Sequence, residues 1–175
     1  MKVRTRVGAA LIAVFAGVAG AVALGSPASA STWGPFQPVH SSGYCFEAPG
    51  GAGGFGQQVI LNYCGGPASH NQHIVLEDTN TGPWLYFMRV EGSPYCLVPG
   101  NADLYHTTIV QWTCDYTSDR FIWGLEFVSQ NDTSKRWLRS EHQPAWCLDK
   151  LDPVAGSLLV LENCYITDFW RLNPA

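Results

Sequence analysis

The stretch "AWCLDKLDPVAGSLLVLENC", Ala145–Cys164, places an aromatic residue before one cysteine, Leu-Asp after it, and a second cysteine at the end of an apolar run. The same arrangement stands upstream as "PYCLVPGNADLYHTTIVQWTC", Pro94–Cys114, and again as "GYCFEAPGGAGGFGQQVILNYC", Gly43–Cys64. The first cysteines, Cys45, Cys96 and Cys147, lie 51 residues apart, and the second, Cys64, Cys114 and Cys164, lie 50 apart. Self-similarity at a fixed period marks a repeat architecture.

Each repeat carries more than its cysteines. Apolar Phe46, Leu97 and Leu148 follow the first Cys, and the β-like runs "QQVILNYC", "TTIVQWTC" and "SLLVLENC" reach the second. A polar loop and a further apolar segment follow: "NQHIVLE", "DRFIWGLEFV" and "TDFWRLN". Upstream of each pair stands a segment led by Trp33, Trp84 or Trp137. Short apolar runs separated by Gly, Pro, Asn and Asp read as strands and turns. Four strands per unit give twelve in an all-β domain, with no amphipathic helix expected.

Six cysteines allow fifteen connectivities. If the repeats fold alike, the natural pairing is local: Cys45–Cys64, Cys96–Cys114 and Cys147–Cys164. Neither Cys-x-x-Cys nor a clustered Cys/His set is evident, so no metal site is expected.

The N-terminus reads as an export signal. Lys2, Arg4 and Arg6 precede an apolar run from Val7 to Leu24, and Ala28-Ser29-Ala30 is a small-residue cleavage site. Residues 1–30 are therefore expected to be a secretory signal peptide cut after Ala30, leaving 31–175 as one domain. That remainder holds seven of the ten Lys and Arg and all fourteen Asp and Glu, a net charge of −7. An acidic, Lys-poor domain has no electrostatic footprint for nucleic acid, and no second apolar run suggests membrane insertion. Paired cysteines suit an oxidising compartment.

The threefold pattern of aromatic-Cys-Leu-Asp, a second Cys after a β run, and a Gln-x-Trp-like strand start resembles the ricin-B-like, or R-type, lectins. The resemblance covers essentially all of residues 31–175. It implies a β-trefoil: a six-stranded barrel capped by three hairpins, with up to three shallow carbohydrate pockets. A pocket of that family uses an acid two residues after the first Cys, an aromatic two residues before the second, and an Asn-Gln pair ahead of the strand Trp. Such a set is chemically apt. Carboxylates accept from vicinal hydroxyls, amides donate and accept, and a flat ring covers the C–H face of a pyranose.

No repeat carries the full set. Repeat one offers Glu47, Asn71 and Gln72, but has Asn62 at the aromatic position and Ile74 at the Trp position. Repeat two offers Trp112, with Val98, Arg120 and Phe121 at the polar positions. Repeat three offers Asp149, with Glu162, Thr167 and Asp168 elsewhere. Candidate carbohydrate-binding residues are thus Glu47, Asn71, Gln72, Trp112 and Asp149. The recurring Trp33, Trp84, Trp123, Trp137 and Trp170 are expected in the core.

Two further motifs carry less. "GAGGFG", Gly51–Gly56, precedes a β-like run rather than a helix, so it reads as a flexible turn and not a dinucleotide loop. "NDT", 131–133, matches a glycosylation acceptor. No nucleophile–His–acid arrangement appears, so no catalysis and no cofactor are expected. The expected partner is a polysaccharide or glycoconjugate, with oligomeric state undetermined. The alternative is a protein-binding trefoil such as a secreted protease inhibitor.

Overall fold

Phe46, Leu97 and Leu148, the apolar residues behind the first cysteine of each repeat, are all buried, as are Val59, Ile109 and Leu159 one strand later. Equivalent side chains from three repeats thus converge on one core, joined by Phe36, Ile74, Trp123 and Trp170. A computed structural model describes residues 30–40, 43–51, 54–65, 70–100, 106–129 and 132–174. The signal segment lies outside these residues except for Ala30, as does Asn131.

Twelve strands follow in order: β1 (Ala30–Pro38), β2 (Tyr44–Glu47), β3 (Ile60–Tyr63), β4 (Ile74–Asp78), β5 (Leu85–Val90), β6 (Tyr95–Pro99), β7 (Ile109–Thr113), β8 (Ile122–Ser129), β9 (Asp132–Ser140), β10 (Trp146–Lys150), β11 (Leu159–Asn163) and β12 (Trp170–Pro174). Strands β1, β4, β5, β8, β9 and β12 pair antiparallel in that order, and β12 returns to β1. The closed ring has no free edge, which is how a barrel avoids edge-to-edge association. The remaining strands form three hairpins, β2–β3, β6–β7 and β10–β11. The fold is a β-trefoil, and no α-helix occurs among the described residues.

The hairpins bond to one another in a threefold pattern. The amides of Leu61, Gln111 and Leu161 donate to the carbonyls of Ser157, Gln57 and Thr107 at 2.7, 2.9 and 2.8 Å. The amides of Gly56, His106 and Gly156 donate to Gln111, Leu161 and Leu61 at 2.7, 3.1 and 2.7 Å. Each set advances by 50 residues, so the sequence period is written directly into hydrogen bonds. Position 56/106/156 is left-handed in all three repeats, with φ of 71°, 58° and 84°. Glycine fits that backbone without penalty; His106 occupies it in repeat two.

One disulfide joins the two cysteines within each repeat: Cys45–Cys64, Cys96–Cys114 and Cys147–Cys164. Each closes a loop of 17 to 19 residues, which in the chain-entropy account contributes roughly 3 kcal/mol.

The core departs from symmetry where Ile74 replaces the tryptophan of the other repeats, and again at a polar residue. Gln111 stands where the other repeats have Leu61 and Leu161, and it is fully buried. Its Oε1 accepts from Ser93 Oγ at 3.0 Å and its Nε2 donates to the Gly51 carbonyl at 3.4 Å. A Cβ at Gly54 would collide with this amide and with Gln57 Oε1, so a side chain there would displace them.

Gly156→Ala isolates the backbone term. No atom lies within 4 Å of the added methyl, yet φ is 84°. The substitution is expected to lower stability by about 1 kcal/mol in urea unfolding, with the same slope as the parent protein.

Candidate ligand-binding site

The hairpin registers align the three candidate pockets. Cys45 pairs with Asn62, Cys96 with Trp112 and Cys147 with Glu162. The residue two after each first Cys lies on the same hairpin face as these partners, because side chains alternate along a strand. Each face therefore presents a corresponding pair: Glu47 with Asn62, Val98 with Trp112, Asp149 with Glu162.

In repeat one the polar groups converge. Glu47 Oε2 accepts from Asn62 Nδ2 at 3.1 Å and from Gln72 Nε2 at 2.7 Å. Gln72 also donates to the Tyr63 carbonyl at 2.8 Å, and its Oε1 accepts the Gly65 amide at 2.8 Å. A 3-10 turn, His70–Gln72, places this amide, and the Asn71 carbonyl anchors the turn by accepting the Ala48 amide at 3.0 Å. Gln72 is 2% exposed, so it positions Glu47 rather than meeting solvent. Asn71 is partly exposed, and its side chain makes no hydrogen bond among the described residues. The aromatic here, Tyr63, is 68% exposed and stacks near Tyr44, centroids 5.2 Å apart. Its strand position turns it away from the Glu47 face.

In repeat two the corresponding space is filled with apolar groups. Val98 and Phe121 are buried in a small cluster with Phe87, Cys96 and Val110. Arg120 folds back, donating through Nη2 to the carbonyls of Pro99 and Gly100 at 2.5 and 2.9 Å. Trp112 is 46% exposed rather than in the core, and Phe55 from repeat one stacks on it with centroids 4.4 Å apart. Tyr95 closes on Phe55 edge-on at 5.6 Å. The result is an aromatic ridge without a carboxylate.

In repeat three the acid is taken up internally. Asp149 is buried and accepts from the Lys150 amide at 2.8 Å, Lys150 Nζ at 3.4 Å and the Asp168 amide at 3.2 Å. Lys150 Nζ also reaches Asp168 at 2.8 Å, and His40 Nδ1 meets the other Asp168 oxygen at 2.6 Å. Glu162 contacts His106 Nε2 at 2.8 Å. Burial pushes the Asp149 carboxyl above the ordinary range, against the pull of the Lys150 amide and ammonium. Burial acts upward on Asp168 too, but Lys150, the Phe169 amide and His40 outweigh it and hold that carboxyl below the ordinary range.

Of the candidates, then, Glu47 and Gln72 touch, with Asn71 adjacent on the same turn. Trp112 and Asp149 belong to other hairpins. Asn62 is a residue that sequence reasoning passed over: its amide occupies the aromatic's position and ties down the acid. Phe55 lacked any signal, since its partner is a strand of the next repeat. Among the tryptophans, Trp123 and Trp170 are buried, each donating its indole N–H at 2.8 Å to the carbonyls of Leu97 and Leu148. Trp84 is not a core residue as expected. It is 52% exposed at φ 65°, just before β5, with its ring edge-on to Phe127. It borders a groove of about 520 Å³ that also takes in Leu85, Phe127 and Arg139, away from all three hairpin faces. The histidines also prove less scattered than the sequence suggested, because the fold brings His70, His73 and Glu91 together.

Solved structures share this fold. The designed threefold-symmetric protein ThreeFoil matches with a TM-score of 0.70 and 19% identity, over 82% of this chain and 99% of its own. The Rhizoctonia solani agglutinin matches at 0.69 and 15% identity, over 86% and 100%. The Macrolepiota procera ricin B-like lectin, solved with lactose, matches at 0.65 and 14% identity, over 86% and 98%. The chain thus shares the β-trefoil fold of these proteins. No protein-family model and no curated protein sequence matches it.

The third hairpin's ion network yields a test. Lys150→Met removes the cation shared by two largely buried carboxylates and is expected to cost about 3 kcal/mol at neutral pH. Asp168, with its lowered value, adds stability above the ordinary carboxylate pKa and loses it as pH falls through its folded value; Asp149, with its raised value, works the other way. The gap between variant and parent in urea melts should therefore narrow below pH about 4, as Asp168 is protonated. Equal stability at neutral pH would remove the network from the account.

Proposed function

We propose that the protein is a secreted, non-catalytic lectin-like module that binds carbohydrate weakly, through repeat one. The observation that carries this reading is the convergence of the Asn62 and Gln72 amides on one oxygen of Glu47. The other oxygen, Oε1, has no partner among the described residues and is available to accept from a pair of sugar hydroxyls. Asn71, with an unengaged amide on the same turn, supplies a second polar contact. Glu47, Asn62 and Gln72 are held before any ligand arrives, so binding would not have to order them.

Repeats two and three support no equivalent site. Apolar groups fill the first, and an internal lysine neutralises the second. The half-exposed Phe55–Trp112 ridge favours a different partner, an apolar protein surface. Aromatics of this kind are enriched at the centres of such interfaces. A single polar pocket without a stacking ring gives weak binding, so useful avidity would need several copies of the protein on one polysaccharide.

The test is a glycan array with insoluble-polysaccharide pull-downs, using the disulfide-bonded protein. Glycan binding that free sugar competes away is expected. Asn71→Ala should weaken it roughly fivefold or more without shifting the melting temperature, the worth of about one hydrogen bond. Gln72→Ala is the poorer probe, because its buried amide also supports Tyr63 and Gly65. Failure of folded protein to bind any glycan, with retention on protein partners that Trp112→Ala abolishes, would overturn the lectin reading.

A further inference from the structure

The 3-10 turn His70–Gln72 and the residue after it have a second face. With three residues per turn, positions i and i+3 eclipse, so His70 and His73 project from the same side while Gln72 points inward to Glu47. The His73 amide donates to the His70 carbonyl at 3.2 Å, which holds the spacing. Across the β4–β5 pair, Ile74 faces Val90, and the Glu91 amide donates to the His73 carbonyl at 2.9 Å. Glu91 is thereby delivered to both rings.

The side chains meet at one point. His70 Nδ1 lies 2.7 Å and His73 Nδ1 2.9 Å from the same oxygen, Glu91 Oε2. The rings stand nearly edge-to-face, centroids 5.7 Å apart at 74°, with both Nδ1 atoms directed at that one oxygen. The other described histidines, His40, His106 and His142, each face a carboxylate singly. The hydrogen bonds of the two histidines also hold the Glu91 carboxyl below its ordinary range.

From this geometry we infer that His70, His73 and Glu91 form a binding site for a divalent transition metal of the zinc type. Two imidazole nitrogens and one carboxylate oxygen are a known zinc donor set, and a water would complete the tetrahedron. The three ligand atoms already lie within 4.8 Å of one another. Ligands at about 2 Å in a tetrahedron stand roughly 3.3 Å apart, so each N···O contact would open slightly and the two imidazole nitrogens, within 4.8 Å of each other, would take up the same spacing. His70 and Glu91, with side chains 70% and 35% exposed, have the room; His73, at 12%, is the fixed member. In the metal-bound state each imidazole carries its proton on Nε2 and gives the Nδ1 lone pair to the metal. Glu91 binds as the carboxylate it already is. The inference stands apart from the sugar reading, since none of these three residues is assigned to the pocket.

Zinc chloride alone, titrated into tag-free, disulfide-bonded protein by calorimetry, is the test. One zinc per chain is expected. His70→Ala and Glu91→Gln should each weaken binding at least tenfold, and His142→Ala should leave it unchanged. Long-range ¹H–¹⁵N spectra should report Nδ1 as the ligand atom of both His70 and His73. No saturable binding at millimolar zinc, or binding that survives both ligand variants, would overturn the assignment.

Discussion

The backbone hydrogen bonds among the three hairpins are the constraint on which the rest of the molecule depends. A two-stranded hairpin is marginal alone in water. Here each donates one amide to each of the other two and accepts one from each: Leu61, Gln111 and Leu161 run one way around the ring, and Gly56, His106 and Gly156 the other. The cycle needs all three hairpins, and it buries the β3, β7 and β11 side chains that complete the barrel core. The left-handed position at 56, 106 and 156 follows from the same requirement, because the chain must turn its amide toward the neighbouring hairpin.

Because the cycle runs through backbone groups and inward side chains, it does not dictate the residues of the outer hairpin faces. They have diverged into three chemistries on one register. Repeat one keeps an acid ordered by two amides, repeat two packs Val98 and Phe121 beneath an exposed aromatic ridge, and repeat three neutralises its acid with Lys150. The position paired with each first cysteine shows the divergence: Asn62 orders Glu47, Trp112 stacks with Phe55, and Glu162 meets His106. The disulfides fix these pairs in space whatever the residue, so one scaffold supports unlike faces.

The sequence period made much of this legible. The spacing of the cysteines, the apolar residue after each first one and the β runs before each second one lead to twelve strands and a threefold domain. What the period did not disclose lies in contacts between repeats or in departures from the pattern. Gln111 breaks the Leu61/Leu161 rule, and its bonds to Ser93 and to the Gly51 carbonyl make a buried amide acceptable. Trp84 repeats in sequence like Trp33 and Trp137, yet it precedes its strand at a positive φ and is turned outward. Asn62 looked like a missing aromatic until its bond to Glu47 was visible. His70 and His73 become a cluster only when strand pairing supplies Glu91 from eighteen residues beyond His73.

Native-state hydrogen exchange at the six bridging amides, those of Gly56, Leu61, His106, Gln111, Gly156 and Leu161, tests the closed hairpin cycle most directly. If the cycle is the cooperative unit, all six exchange only through global unfolding, with one shared free energy that falls equally with denaturant across the repeats. If one repeat's pair exchanges early, with a smaller free energy and a shallower denaturant dependence, that hairpin opens on its own. The account of a scaffold closed by mutual hairpin bonding would then be wrong.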